Sequence, residues 1–164
     1  MIQQLDTDSV TASVQADPDR IYSIISDVTR TPELSPEVTC CKWLRGATGP
    51  AVGARFKATN KMPNRPTFSN KPVVTVAEPG RTFAFSRTEP FGGTVEWRYE
   101  LERDRDGTIV TESYTITKPV SAFGWFIIGG LFGRKDRRTD LREGMQQTLR
   151  RLQILAEADQ TPTR

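Results

Sequence analysis

Ser26–Asn60 reads SDVTRTPELSPEVTCCKWLRGATGPAVGARFKATN, and its layout decides the fold. The segment joins a short amphipathic helix to the first long strands of a sheet through Pro32, Pro36 and a glycine-rich turn. On its N-terminal side, Ser9–Ala16 alternates Val10, Ala12, Val14 and Ala16 with Ser9, Thr11, Ser13 and Gln15, the period of a half-buried strand. Asp17 is placed as a helix N-cap with Pro18 at the first helical position, and Ile21, Ile24, Ile25 and Val28 form one apolar face. Pro32 and Pro36 bracket a second short helical turn.

On its C-terminal side the pattern is strand after strand. Phe56, Ala58, Asn60 and Met62 share a face opposite Arg55, Lys57, Thr59 and Lys61. Val74 and Val76 continue the pattern to a turn at Pro79-Gly80, and Phe83 and Phe85 face one way beyond it. Gly92-Gly93 turns again, Val95, Trp97, Tyr99 and Leu101 alternate with Glu96, Arg98 and Glu100, and Asp106-Gly107 is a hairpin signal. Val110, Glu112, Tyr114 and Ile116 then share one side. From about Asp136 the period becomes helical, with Leu141, Met145, Thr148, Leu152 and Leu155 in a stripe flanked by Leu149 and Ala156. The order is one strand, two short helices, about six antiparallel strands and one long helix, without βαβ alternation, so the class is α+β. A lone long helix must bury its stripe on the concave face of the sheet, an arrangement that leaves room for a small ligand.

Composition narrows the chemistry. The 164 residues suit one domain, residues 1–164 with a core at 9–157 and a flexible tail at 158–164. The N-terminus has no basic and apolar leader pattern, and the longest apolar run, Ala122–Gly133, is broken by four glycines, so a cytoplasmic protein is expected. Histidine is absent, which excludes Ser-His-Asp and Cys-His nucleophiles and imidazole-bound zinc; no metal and no cofactor are expected. Cys40 and Cys41 are adjacent in a strand and point to opposite faces, which suits neither a metal clamp nor an ordinary disulfide. The net charge of +3 is local: Arg134–Arg151 carries seven basic and three acidic residues. No nucleic-acid motif accompanies that patch, so nucleic acid is not expected as a partner.

The ordered set SDVTRTPELSPEV, CKWLRG, GARFKATN, VAEPGRTFAF, WRYELE, the DGT hairpin and GMQQTLRRLQILAE resembles the START-related helix-grip superfamily (SRPBCC), in its polyketide cyclase/dehydrase-like branch, over roughly Ser9–Glu157. The resemblance implies a curved antiparallel sheet of about seven strands wrapped around a long C-terminal helix, with two short helices after strand 1. It also implies an internal hydrophobic cavity for a lipid, polyketide or similar apolar molecule.

Three polar side chains fall on inward registers: Asn60, Arg87 and Glu112. An inward polar group needs a partner, and an Arg87–Glu112 pair with Asn60 beside it is expected in the cavity wall. Trp43, Phe56, Phe68, Phe85, Trp97, Tyr99, Tyr114 and Met145 are the candidate apolar lining. The favoured reading is a carrier or sensor of a hydrophobic small molecule. The alternatives are a cyclase/dehydratase using Glu112, Arg87 and cavity water, and a toxin-like or regulatory protein of a toxin–antitoxin pair. Segment 120–138 places Trp125 and Phe126 beside a basic cluster, a candidate peripheral membrane contact whose bland counterpart is a lid under the long helix. Oligomeric state, monomer or homodimer, is left open.

Overall fold

The computed structural model describes residues 6–64, 66–88, 93–119, 121–122 and 137–158. Alternation makes β1 (Thr7–Val14), with Val10 and Val14 buried and the intervening hydroxyl residues exposed. The chain then turns into α1 (Pro18–Ser26). The Asp17 carboxylate accepts the Asp19 N–H at 2.9 Å, and Pro18 takes a first-turn position where no donor is lost. A 3-10 turn (Val28–Arg30) leads to the one-turn helix α2 (Thr31–Leu34). Ser35, extended because Pro36 follows it, ends that helix.

Seven further strands follow: β2 (Val38–Trp43), β3 (Phe56–Asn60), β4 (Phe68–Asn70), β5 (Val73–Glu78), β6 (Thr82–Thr88), β7 (Thr94–Asp104) and β8 (Gly107–Lys118). All pair antiparallel, five in the order β1-β8-β7-β6-β5 and three in the order β2-β3-β4. The expectation of about seven strands in one sheet is therefore corrected to eight in two hydrogen-bonded sheets. The sheets touch at the Arg55–Val73 bridge, flanked by bonds from Val74 N to Ala54 O at 2.9 Å and from Phe56 N to Pro72 O at 3.2 Å. Pro72 has no N–H to return, so the ladder stops there.

The β7–β8 hairpin closes at Asp104–Gly107, with Arg105 and Asp106 at its tip. Gly107 is required for a different reason from the turn chemistry its dipeptide suggests. A Cβ there would run into the Val14 carbonyl, because the end of β1 packs directly on it. Thr108 seals the same junction, its hydroxyl donating to Ala16 O at 2.8 Å.

The long helix α3 (Arg137–Ala158) buries Met145, Thr148, Leu149, Leu152 and Ala156, the expected stripe shifted slightly, with Leu141 and Leu155 half-buried at its margins. It is held at both ends. Arg20 of α1 donates from Nε to Ala156 O at 2.8 Å and from Nη2 to Leu155 O at 3.4 Å, satisfying C-terminal carbonyls with a cation. Towards the other end, Arg142 pairs with Asp8 at 2.6 Å and Arg137 with Glu37 at 3.3 Å. The core lies between this helix, α1 and the five-stranded sheet, around Val14, Ile21, Val28, Val74, Val110 and Leu152. No helix among the described residues is long and apolar enough to cross a membrane.

Candidate functional site

Cross-strand register builds the site. Val10, Glu112, Tyr99 and Phe83 stand directly opposite one another across β1, β8, β7 and β6. The next inward row is Asp8, Tyr114, Trp97 and Phe85. Over these rows, beneath α3 and beside the α2–β2 segment, lies a cavity of about 90 Å³. Sheet residues Asn60, Phe85, Arg87, Trp97, Tyr99 and Glu112 line it from one side. Asp140, Leu141, Gly144, Met145 and Thr148 line it from the helix, and Thr31 and Ser35–Val38 form its lip. Gly144 contributes a hole to the wall: a Cβ at this position would meet nothing within 4 Å.

Seven of the expected site residues thus come together: Asn60, Phe85, Arg87, Trp97, Tyr99, Glu112 and Met145. Four do not line the cavity. Phe56 is buried in a T-shaped chain between Trp43, at 5.8 Å, and Phe85, at 5.3 Å. Phe68 is half-buried on β4 opposite Asn60. Tyr114 is packed behind Trp97 at 5.6 Å. Trp125 and Phe126 lie outside the described residues.

The expected Arg87–Glu112 pair is replaced by another. Tyr99 Oη donates to Glu112 Oε1 at 3.0 Å, while the Arg87 guanidinium lies over the Trp97 ring, 5.8 Å from its centroid. Register explains the difference. Arg87 stands opposite Val95, four residues from Tyr99 along β7, and Glu112 is one strand beyond Tyr99. Strand rise and spacing then separate the two Cα atoms by roughly 16 Å. Asn60 spends an amide N–H on its own strand, donating to Ala58 O at 3.3 Å.

Glu112 is the unusual group. It is 4% exposed, and among the described residues its Oε2 finds no hydrogen-bond partner. Burial pushes its carboxyl up to about 8, against the opposing pull of the Tyr99 hydrogen bond. Tyr99 is driven well above the usual phenol range, first by burial and then by Glu112, so it remains a neutral donor. Trp97 Nε1 and Tyr114 Oη are likewise buried without a partner among the described residues. No cluster of three or more metal-ligating side chains occurs among the described residues.

Inspection of single residues missed the lip, Gly144 and the Tyr99–Glu112 contact. The hairpin signal on Asp106-Gly107 would set Leu101 against Glu112; only the observed closure at Asp104–Gly107 sets Tyr99 against Glu112 and Trp97 against Tyr114. Gly144 was signalled as the one glycine inside the helical stripe.

Residues 7–157 match the profile of a family described as polyketide cyclase / dehydrase and lipid transport. No curated protein matches the chain. Among solved structures, the polyketide cyclase-like protein Cgl2372 from Corynebacterium glutamicum is 30% identical, with 99% of each chain covered and a TM-score of 0.57. Protein CV1439 from Chromobacterium violaceum is 16% identical over 94% of this chain and 100% of its own, with a TM-score of 0.71. The di-domain ARO/CYC StfQ from the steffimycin biosynthetic pathway is 16% identical over 93% of this chain, with a TM-score of 0.74. This chain spans 50% of StfQ. These last two likenesses are of fold. The profile match over nearly the whole chain and the 30% identical relative establish more: the chain belongs to the polyketide cyclase/dehydrase and lipid transport family.

Proposed function

We propose that the protein binds a small, mainly apolar molecule in the cavity beneath α3, as a carrier or sensor. One observation supports this above the others. The helix wall keeps a glycine where alanine would favour the helix by about 1 kcal/mol and would touch nothing within 4 Å. Neither packing nor a positive φ demands glycine there, so the space it leaves is the feature that calls for a reason. Phe85, Trp97, Leu141 and Met145 make the rest of the wall mostly apolar, as a ligand site requires.

Size limits the cargo. At about 90 Å³ the cavity is smaller than the roughly 150 Å³ that accommodates a benzene ring. A short branched chain, or part of a single ring with its remainder at the open lip between α2 and α3, fits this form. A multi-ring ligand of several hundred Å³ requires the helix and lip to part. Isothermal titration with ethylbenzene tests the reading. Saturable binding that Gly144→Phe abolishes supports it, and no binding by the folded protein rejects it.

Glu112 favours a second reading, a cyclase/dehydratase. A carboxyl that keeps its proton to about pH 8 in an apolar enclosure is suited to protonating a carbonyl oxygen. Glu112→Gln then abolishes turnover of a polyketone substrate with the fold retained.

A further inference from the structure

We propose that the outer face of the β2–β3–β4 sheet is a docking surface for an anionic membrane. The inference is independent of the cavity, which Asn60 lines from the inward side of β3.

Charge carries it. Residues 38–77 contain seven basic side chains and no acidic one, so the basicity of the chain is not confined to Arg134–Arg151. Strand pairing concentrates that charge. Lys42 stands directly opposite Lys57, and the register fixed by the Ala58–Asn70 and Arg55–Val73 pairs sets Lys71, just past β4, against Lys57 on the other side. Directly opposed residues share a face of the sheet, so three exposed lysines form one row across the strands. Arg55, two residues from Lys57, lies on the same face, and exposed Lys61 follows the end of β3. None of these cations, nor Arg45 in the β2–β3 loop, forms an ion pair among the described residues. The acids at the margins are engaged elsewhere: Glu37 with Arg137, and Glu96, three strands from Arg55 in the same row, with Arg98. Like charges held directly opposite each other destabilise a sheet. A row of three without a counter-charge is matched by an anionic partner.

The remaining side chains select which one. The face presents ammonium, guanidinium and hydroxyl groups, Thr59 and Ser69 among them. Its aromatic neighbours Trp43, Phe56 and Phe68 occupy the alternate positions, which turn inward. The face therefore offers no ring to stack a base or to anchor a protein partner. A layer of phosphate headgroups needs neither, because it attracts cations by charge alone. The loop that carries Arg45 also holds Val52 at 70% exposure, an apolar tip suited to shallow insertion among headgroups.

The test is co-sedimentation of the full chain with phosphatidylcholine vesicles containing 30% phosphatidylglycerol, at 0.1 M NaCl. Binding is expected there and is expected to vanish at 1 M NaCl, as the screening length falls from about 10 Å to about 3 Å. Each lysine neutralised should weaken binding about fivefold. Lys42→Gln/Lys57→Gln/Lys71→Gln should therefore lose about a hundredfold while melting no lower than wild type, since the change removes a repulsion. The charge-matched variant Arg134→Gln/Lys135→Gln/Arg138→Gln, in segment 120–138, should stay within about fivefold of wild type. Should the sheet variant not fold, Lys57→Gln alone, at the centre of the row, decides by its own fivefold loss. No binding to the charged vesicles, or equal binding to pure phosphatidylcholine, overturns the proposal. A loss as large in the 120–138 variant moves the contact there or to net charge, and a DNA duplex that binds tighter than the vesicles assigns the face to nucleic acid; either result overturns it as well.

Discussion

Replacing Glu112 by Gln should make the protein less sensitive to pH and, in mild alkali, more stable. The folded chain holds the Glu112 proton to about pH 8, whereas the unfolded chain releases it near the ordinary value of 4.5. Between these values the folded state binds more protons, so stability falls as pH rises. The contribution is fully present below pH 4.5 and is lost by the time pH passes 8. At about 1.36 kcal/mol per pKa unit, the whole interval corresponds to roughly 5 kcal/mol, a large share of the ~5–15 kcal/mol that stabilises a typical domain. For a chain of this length that is a fall in Tm of about 10–20 °C between pH 5 and 8.5. Gln keeps the shape and still accepts from Tyr99, and it has no proton to lose. The two proteins should therefore melt alike at pH 5 and diverge by most of that interval at pH 8.5.

Among the described residues, the other groups with shifted pKa values act outside this window. Arg103 and the Asp19 N–H hold Asp17 below the usual carboxylate range, and Arg30 does the same for Glu33. At Asp8 burial works upward, but the Arg142 and Ser9 hydrogen bonds prevail. These three act below about pH 4.5. Burial pushes Cys41 up to about 11 and raises Tyr22 and Tyr114 above the phenol range, so those groups act above pH 9. Melting curves of both proteins at half-unit intervals make the comparison. Parallel profiles from pH 5 to 8.5 would refute the neutral buried acid.

Gly144→Ala should raise stability by about 0.5–1 kcal/mol through helix propensity, read by urea titration, whereas Gly144→Phe should fill the cavity and abolish ethylbenzene binding without unfolding the protein. Gly107→Ala should cost about 2–3 kcal/mol or more, because its Cβ meets the Val14 carbonyl and the backbone there cannot step aside; a change below 0.5 kcal/mol in the same titration would contradict that packing. Arg20→Met should cost about 1–2 kcal/mol by uncapping α3, with faster amide exchange confined to the last turn of the helix.

Periodicity carried much of the fold. The faces of β3 (Phe56, Ala58, Asn60) and β8 (Val110, Glu112, Tyr114) followed from a period of two, and Asp17-Pro18 marked the start of α1. These are local properties, set by neighbours along the chain. Pairing between strands is not local. Placing the β7–β8 turn on Asp106-Gly107 rather than Arg105-Asp106 moves every partner by two residues, which decides whether Glu112 faces Tyr99. The Arg87–Glu112 expectation failed on the same ground: both side chains face inward, but inwardness says nothing of distance along a strand. The break between the sheets at Pro72 was written in one residue, yet it carried meaning only once Phe56 was known to lie opposite. Arg20 reaching Ala156 joins the two ends of the chain and leaves no local trace.

The central claim is that the space under α3 takes an apolar ligand, and methionine methyl NMR tests it most directly. The chain has three methionines; Met145 lines the cavity, and Met62 is buried outside its lining. Saturating acetophenone should shift the Met145 methyl through the ring current of the bound ligand and leave Met62 in place. A Met145 signal that does not move, or a Met62 signal that moves instead, would contradict the account.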